Sequence, residues 1–131
     1  MKTGAYAVTS NYEEYLTEVL AHQEKESPLP HLKKHEIVKG DISTTLPAYL
    51  SRNPETIIAL AYFDMDIYQP TLDALTVIKD RITRGTVLAF DELNDHSTPG
   101  ETLALKDALG LSRYALRRYR YNARASYLVV D

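Results

Sequence analysis

Two nearly continuous apolar runs, each closed by an acidic cluster, constrain this chain more than any other feature. The first is Thr56-Ile57-Ile58-Ala59-Leu60-Ala61-Tyr62-Phe63, and it ends in Asp64-Met65-Asp66. The second is Thr86-Val87-Leu88-Ala89-Phe90, and it ends in Asp91-Glu92. Apolar runs without alternation are expected of strands covered on both faces. In an open α/β sheet, ligands bind outside the carboxyl ends of the strands. Two such ends carrying Asp64, Asp66, Asp91 and Glu92 predict a shared site of hard oxygen ligands. That chemistry suits a cation and whatever the cation holds.

The rest of the chain supplies helices between such strands. Ser10-x-x-Glu13 reads as a capping box opening a helix, with Tyr12, Leu16, Val19 and Leu20 at helical spacing until Ser27-Pro28-Leu29-Pro30. Glu36-Ile37-Val38-Lys39 reads as a short strand closed by Gly40-Asp41. Thr44 or Thr45 caps a second helix, which Asn53-Pro54 stops. A third helix starts at Pro70, shows the face Leu72, Leu75, Ile78 and Ile82, and has Gly85 beyond its end. Thr98-Pro99-Gly100-Glu101 is a second capping box, with Pro99 at the first helical position and Gly110 after the helix. The segments 114–121 and 126–130 read as strands, and the Asn122–Ala125 connection is too short for a crossover, so they must be antiparallel. The expected architecture is α/β: a Rossmann-like, mainly parallel sheet with helices on both faces and a C-terminal antiparallel hairpin. Its expected divisions are a helix and linker over 1–35, three strand–helix units over 36–110, and the hairpin over 111–131.

With 131 residues the chain is one domain or a piece of one. A net charge of -3 argues against a nucleic-acid partner held by overall charge. There is no cysteine, hence no disulfide and no thiolate metal site, which fits a reducing compartment. No apolar run approaches the roughly 20 residues of a membrane span. Met1-Lys2-Thr3-Gly4 leads into polar sequence rather than a signal peptide, so a cytoplasmic location is expected.

The order of elements resembles the later part, about two-thirds, of a class I S-adenosylmethionine-dependent methyltransferase. The stretch Ala61-Tyr62-Phe63-Asp64-Met65-Asp66-Ile67-Tyr68-Gln69-Pro70-Thr71-Leu72-Asp73-Ala74-Leu75 resembles the "LDxDxYxxTxxAL" segment of macrocin-type sugar O-methyltransferases. Gly85 to Leu93 resembles their "GGxxxxDDY" strand, and Pro99-Gly100 their "PGxxxA" helix start. The resemblance covers roughly residues 36–131. It implies an S-adenosylmethionine cofactor, a hydroxylated small-molecule acceptor of the sugar or natural-product type, and a magnesium ion held by Asp64, Asp91 and Glu92. Glu92 stands where the family usually has Asp, and the extra methylene would loosen a site whose geometry Mg²⁺ holds strictly. Gly40, Asp41 and Asp64 would face the cofactor. His96 or Asp64 would take the acceptor's proton.

One departure from that family is an absence. Its cofactor loop is Gly-rich because the backbone must approach the ligand closely. The five glycines here are Gly4, Gly40, Gly85, Gly100 and Gly110, none near another. The first two strands of the family fold, with the loop and the ribose-binding acid, are expected to be missing. Without them the 56–63 strand has an apolar edge open to association. Either the 36–39 strand moves in to pair with it, or two chains pair edge to edge as a homodimer or higher oligomer. Two function classes follow: an O-methyltransferase domain, impaired or inactive as this isolated chain, or a non-catalytic remnant serving as a dimerisation or interaction module. A phospho-accepting receiver domain, which also clusters acids at strand ends, ranks last.

Each singled-out residue also has a plainer reading. Asp64 and Asp91 also read simply as caps of the helices that follow. His31 and His35 lack a third ligand for zinc. His96 is a loop histidine of the kind usually left in solvent. Arg113, Arg117, Arg118, Arg120 and Arg124, interleaved with Tyr114, Tyr119 and Tyr121, read either as a solvated face or as a contact for a phosphorylated sugar. Tyr6, Tyr12 and Tyr15 read as packing residues.

Overall fold

A computed structural model of the chain describes residues 9–131. It separates into two compact units, one ending at Gly40 and one spanning Asp41–Asp131. The first contains helix α1, Tyr12–Glu26. Its N-cap is Asn11, in the left-handed region at φ 63°, with no side-chain cap bond. The expected Ser10–Glu13 box therefore does not form, and Glu13 pairs with Lys39 instead. No described side chain of α1 is buried. Tyr12 and Tyr15 face each other at 6.0 Å but are exposed, against the expectation that they pack. Tyr6 lies outside the described residues. His35 Nδ1 sits 2.8 Å from Glu24 Oε1, which ties the chain after α1 back onto it.

The second unit holds α2 (Ile42–Arg52), β1 (Ile58–Phe63), α3 (Tyr68–Ile78), a 3₁₀ turn (Lys79–Arg81), β2 (Ile82–Phe90), α4 (Gly100–Leu109), β3 (Arg117–Arg118) and β4 (Ser126–Val129). The sheet order is β1-β2-β4-β3. β1 and β2 are parallel, whereas β2–β4 and β3–β4 are antiparallel. The α/β class holds, and so does the antiparallel terminal pair. Three details differ. The 36–39 segment is not a strand, so the first of the three strand–helix units is a helix alone and parallel pairing is confined to β1–β2. β2 begins at Ile82, so Ile82 is a strand residue and Gly85 lies within the strand. The hairpin's first strand shrinks from the expected 114–121 to Arg117–Arg118.

Gly85 shows why β2 was misread. Between Ile58↔Ile82 and Leu60↔Val87 the register shifts, and Gly85 sits in that irregularity at φ 94°. An L side chain is strained there, and glycine is not. Thr86, buried beside it, donates from Oγ1 to Ile58 O at 2.7 Å and accepts from Thr83 N at 2.9 Å. This restores partners that the bulge removes from the ladder.

The core lies on one side of the sheet. Ala61 and Phe63 of β1, Leu88 and Phe90 of β2, and Leu128 of β4 point toward Ala74, Leu75 and Ile78 of α3 and Ala104, Leu105 and Leu109 of α4. Phe63 and Phe90 stack at 4.9 Å with ring planes 12° apart, at the carboxyl ends of the two parallel strands. Burying each such ring contributes about 2–3 kcal/mol. α2 packs along α3 through Leu46 and Leu50.

Within the 41–131 unit no helix covers the opposite side of the sheet. Leu60 is 62% exposed and Tyr62 57%. The rows Leu60–Val87–Val129 and Tyr62–Ala89–Tyr127 run across that face. The edge of β1 away from β2 is also unpaired among the described residues.

Candidate active site

Parallel register places Phe63 opposite Phe90, so the two acidic clusters emerge side by side. Asp91 N donates to Phe63 O at 3.0 Å and extends the ladder by one bond. Tyr62, at the penultimate position of β1, donates its hydroxyl to Asp91 Oδ1 at 2.7 Å. That bond to a carboxylate, helped by burial and by Asp91's charge, pushes the Tyr62 phenol up to about 12.

Neither Asp64 nor Asp91 caps a following helix. The N-cap of α3 is Ile67 and that of α4 is Pro99, both without a side-chain cap bond. The capping reading therefore fails. Asp66 turns the chain at φ 60°, a conformation uncommon for a residue other than glycine. Its carboxyl is raised above the ordinary range, by burial first and then by the charges of Glu92, Asp64 and Asp91.

Glu92 is held elsewhere. Its Oε1 lies 2.6 Å from Arg124 Nη1, and its Oε2 accepts from the Thr98 hydroxyl. Arg124 Nε also reaches Asp95 Oδ2 at 2.9 Å. Of the Arg/Tyr stretch, Arg124 is thus turned onto the acidic loops. Around it Tyr119 and Tyr121 meet edge to face at 5.9 Å, and Arg120 lies over Tyr121 on the exposed surface. Arg124 was legible only as one of five arginines, because its partners Glu92 and Asp95 lie some thirty residues away.

Fit to a magnesium ion can be judged from these bonds. Asp64, Asp91 and Glu92 were the expected ligands, but Glu92 is already neutralised by Arg124. Among the described residues no group of three His, Cys, Asp or Glu side chains is arranged to hold a metal. The expected trio does not fit the ion as arranged. His31 and His35 form no metal group either. The His96 side chain stands fully in solvent, 3.9 Å from Asp95 Oδ1, and not over the carboxylates.

Asp41 caps α2, accepting from Ser43 N at 2.9 Å, so that helix starts earlier than the expected Thr44 or Thr45. Gly40 lies in the other unit and is at φ 138°. A groove of about 410 Å³ runs between α2 and β1, lined by Ile42, Leu46, Leu60 and Ala61 and ending at Asp64 and Met65. Its size falls in the range of small-molecule sites, and its walls are mostly apolar with the Asp64 carboxylate among them.

The residue that sequence reasoning missed most completely is Glu101. It was assigned to a capping box with Thr98. Instead it is fully buried, with Oε1 accepting from Met65 N at 3.1 Å and Oε2 from Glu92 N at 3.3 Å. Burial raises its carboxyl above the ordinary range, and backbone N–H groups at Met65, Glu92 and Asp66 oppose that rise. A carboxylate at the first turn of a helix reads as a cap, so no local signal distinguishes this arrangement.

No protein-family description matches the chain, and no curated protein sequence does. Solved structures do. CalS11, described as a TDP-rhamnose 3′-O-methyltransferase of calicheamicin biosynthesis, matches in its ligand-free form with TM-score 0.88 and 40% identity, over 95% of this chain and 54% of that one. A second CalS11 structure, described as a calicheamicin methyltransferase, matches with TM-score 0.91 and 41% identity, over 97% and 50%. The chain spans about half the length of these solved relatives. The fold is Rossmann-like α/β, and the chain is similar to one half of a sugar O-methyltransferase. The resemblance carried by its two acidic motifs therefore holds. Among the described residues no helix is long and apolar enough to cross a membrane.

Proposed function

We propose that this chain is an S-adenosylmethionine-binding O-methyltransferase-type domain directed at a sugar hydroxyl. The supporting observation is the likeness to CalS11 at 40% identity together with carboxylates gathered at the ends of two parallel strands. S-adenosylmethionine, when bound, supplies an electrophilic methyl group on a sulfonium. The chain's own residues would do the rest. The α2–β1 groove would take the nucleoside, with Asp64 at its end and, by the family resemblance, Gly40 and Asp41 as further cofactor contacts. Asp64 and Asp91 would orient acceptor hydroxyls, since methyl transfer depends chiefly on positioning. Proton acceptance would fall to Asp64 or to Asp66, whose raised carboxyl makes it the better base. His96 in solvent is poorly placed for that task. TDP-rhamnose, the substrate named for CalS11, is the first acceptor to try. A reducing, cytoplasmic setting suits a chain with no cysteine.

The free edge of β1 favours a second reading, a module that associates with another copy through that edge. An unpaired apolar strand invites such pairing, and a homodimer is the expected form.

Calorimetric titration of S-adenosylhomocysteine into the wild type and Asp64→Asn tests the first reading. Saturable binding, weakened about tenfold or more by D64N, is expected. The same affinity with and without Mg²⁺ is expected while Glu92 stays paired with Arg124. No heat in the wild type overturns the enzymatic reading and leaves the association module.

A further inference from the structure

One short stretch, residues 98–102, touches both acidic loops. The Thr98 hydroxyl donates to the Glu92 carboxylate. Gly100 sits so close to the turn between β1 and α3 that a Cβ there would lie 2.3 Å from Asp66 O and 2.6 Å from Tyr68 N. Glu101 sends one oxygen to each loop, Oε1 to Met65 N and Oε2 to Glu92 N. Thr102 Oγ1 accepts from Asn94 N at 2.8 Å. We infer that Glu101 is a positioning residue: its buried carboxylate clamps the ends of β1 and β2 together and so sets the spacing of Asp64 and Asp66 from Asp91. The inference rests on the reading of those carboxylates as the methyl-acceptor site.

The physical case is one of cost and geometry. A carboxylate removed from water is expensive unless its lone pairs are met. Here the two oxygens meet backbone donors from two different loops, so neither loop can shift without leaving the acid or a buried N–H unpaired. A hydrophobe of the same size would fill the space and hold neither loop. A purely local cap would bind donors of its own helix, and the α4 N-cap has no side-chain bond at all. The raised carboxyl of Glu101 agrees with burial among acids.

Glu101→Gln keeps size and one acceptor oxygen but turns the other into a donor that faces an N–H. In ¹⁵N-labelled protein, E101Q is expected to speed amide exchange at Met65 or Glu92 at least tenfold relative to core amides such as Leu88. Thr102→Ala, in the same turn, should leave both amides unchanged. Should E101Q not fold, the wild type still decides, through scalar couplings across the hydrogen bonds from the Glu101 carboxyl carbon to the Met65 and Glu92 nitrogens. Two couplings support the clamp. Absence of both, or exchange at Met65 and Glu92 rising only in step with the whole core, overturns it. S-adenosylhomocysteine titration separates the two claims. If the wild type binds, E101Q should bind about tenfold more weakly. If the wild type does not bind while the exchange result holds, the methyltransferase reading fails and the clamp stands.

Discussion

The carboxyl end of β1 and the free edge of the same strand lie within a few residues of each other, yet they are finished in opposite ways. At the carboxyl end the turns are tied to one another: Asp91 N on Phe63 O, Tyr62 on Asp91, Glu101 on Met65 and Glu92, and Arg124 on Glu92. Along the edge, backbone groups meet no strand among the described residues, and Leu60 and Tyr62 face outward. Buried or crowded polar groups must be satisfied by the chain itself, whereas an edge can be satisfied by something added later. The chain completes the end that carries its acidic clusters and leaves its side open. That fits a chain similar to half of a larger methyltransferase.

Changes on the closed side should therefore be costly and changes on the open side cheap. Phe90→Ala removes a fully buried ring stacked on Phe63 at the foot of the site. It should cost about 4 kcal/mol in urea unfolding, and a loss under 1 kcal/mol would mean the strand ends are not packed as described. Gly100→Ala forces a Cβ against the backbone of 66–68 and should cost about 3 kcal/mol, with the acidic loops displaced in spectra as well as destabilised. Thr86→Val strands Thr83 N and Ile58 O at the bulge and should cost about 1–2 kcal/mol. On the open side, Leu60→Lys should change stability by under about 0.5 kcal/mol. The same change should abolish any concentration-dependent sedimentation, because a charge on an edge strand blocks pairing. Wild-type association that survives L60K would place the interface elsewhere.

A smaller effect appears with pH. Glu101 and Asp66 are both raised in the folded chain. Between the ordinary carboxyl value and the raised one, the unfolded chain has released protons that the folded chain still holds. The contribution of these groups is therefore fully present at low pH and is lost as pH rises through that window. Unfolding by urea from pH 4 to pH 7 should show this loss, and E101Q should show less of it. An equal loss in E101Q would assign the effect to Asp66 alone.

Much of the closed side was legible in the sequence. The two apolar runs are strands, their acids do come together, and Pro99-Gly100 does open a helix. Their legibility has a local cause, since long apolar runs and glycines at tight approaches leave marks at single positions. What was lost depended on partners far along the chain. Glu36-Ile37-Val38-Lys39 has strand-like residues, but a strand also needs strand pairing, and among the described residues this segment joins no sheet. Glu101 looked like a local cap because its true partners, Met65 and Glu92, lie in other loops. Glu92 looked like a metal ligand because nothing near it in sequence announces Arg124. Leu60 and Tyr62 looked buried because apolar character reports what a surface favours, not what covers it.

Backbone amide exchange along β1 and into the Met65 and Glu92 turns, in dilute wild-type protein, tests the contrast most directly. The account predicts slow exchange at Met65, Asp91 and Glu92 beside fast exchange at the β1 amides that do not face β2. Uniform protection along β1 at the lowest concentration, or fast exchange at Met65 and Glu92, would contradict it.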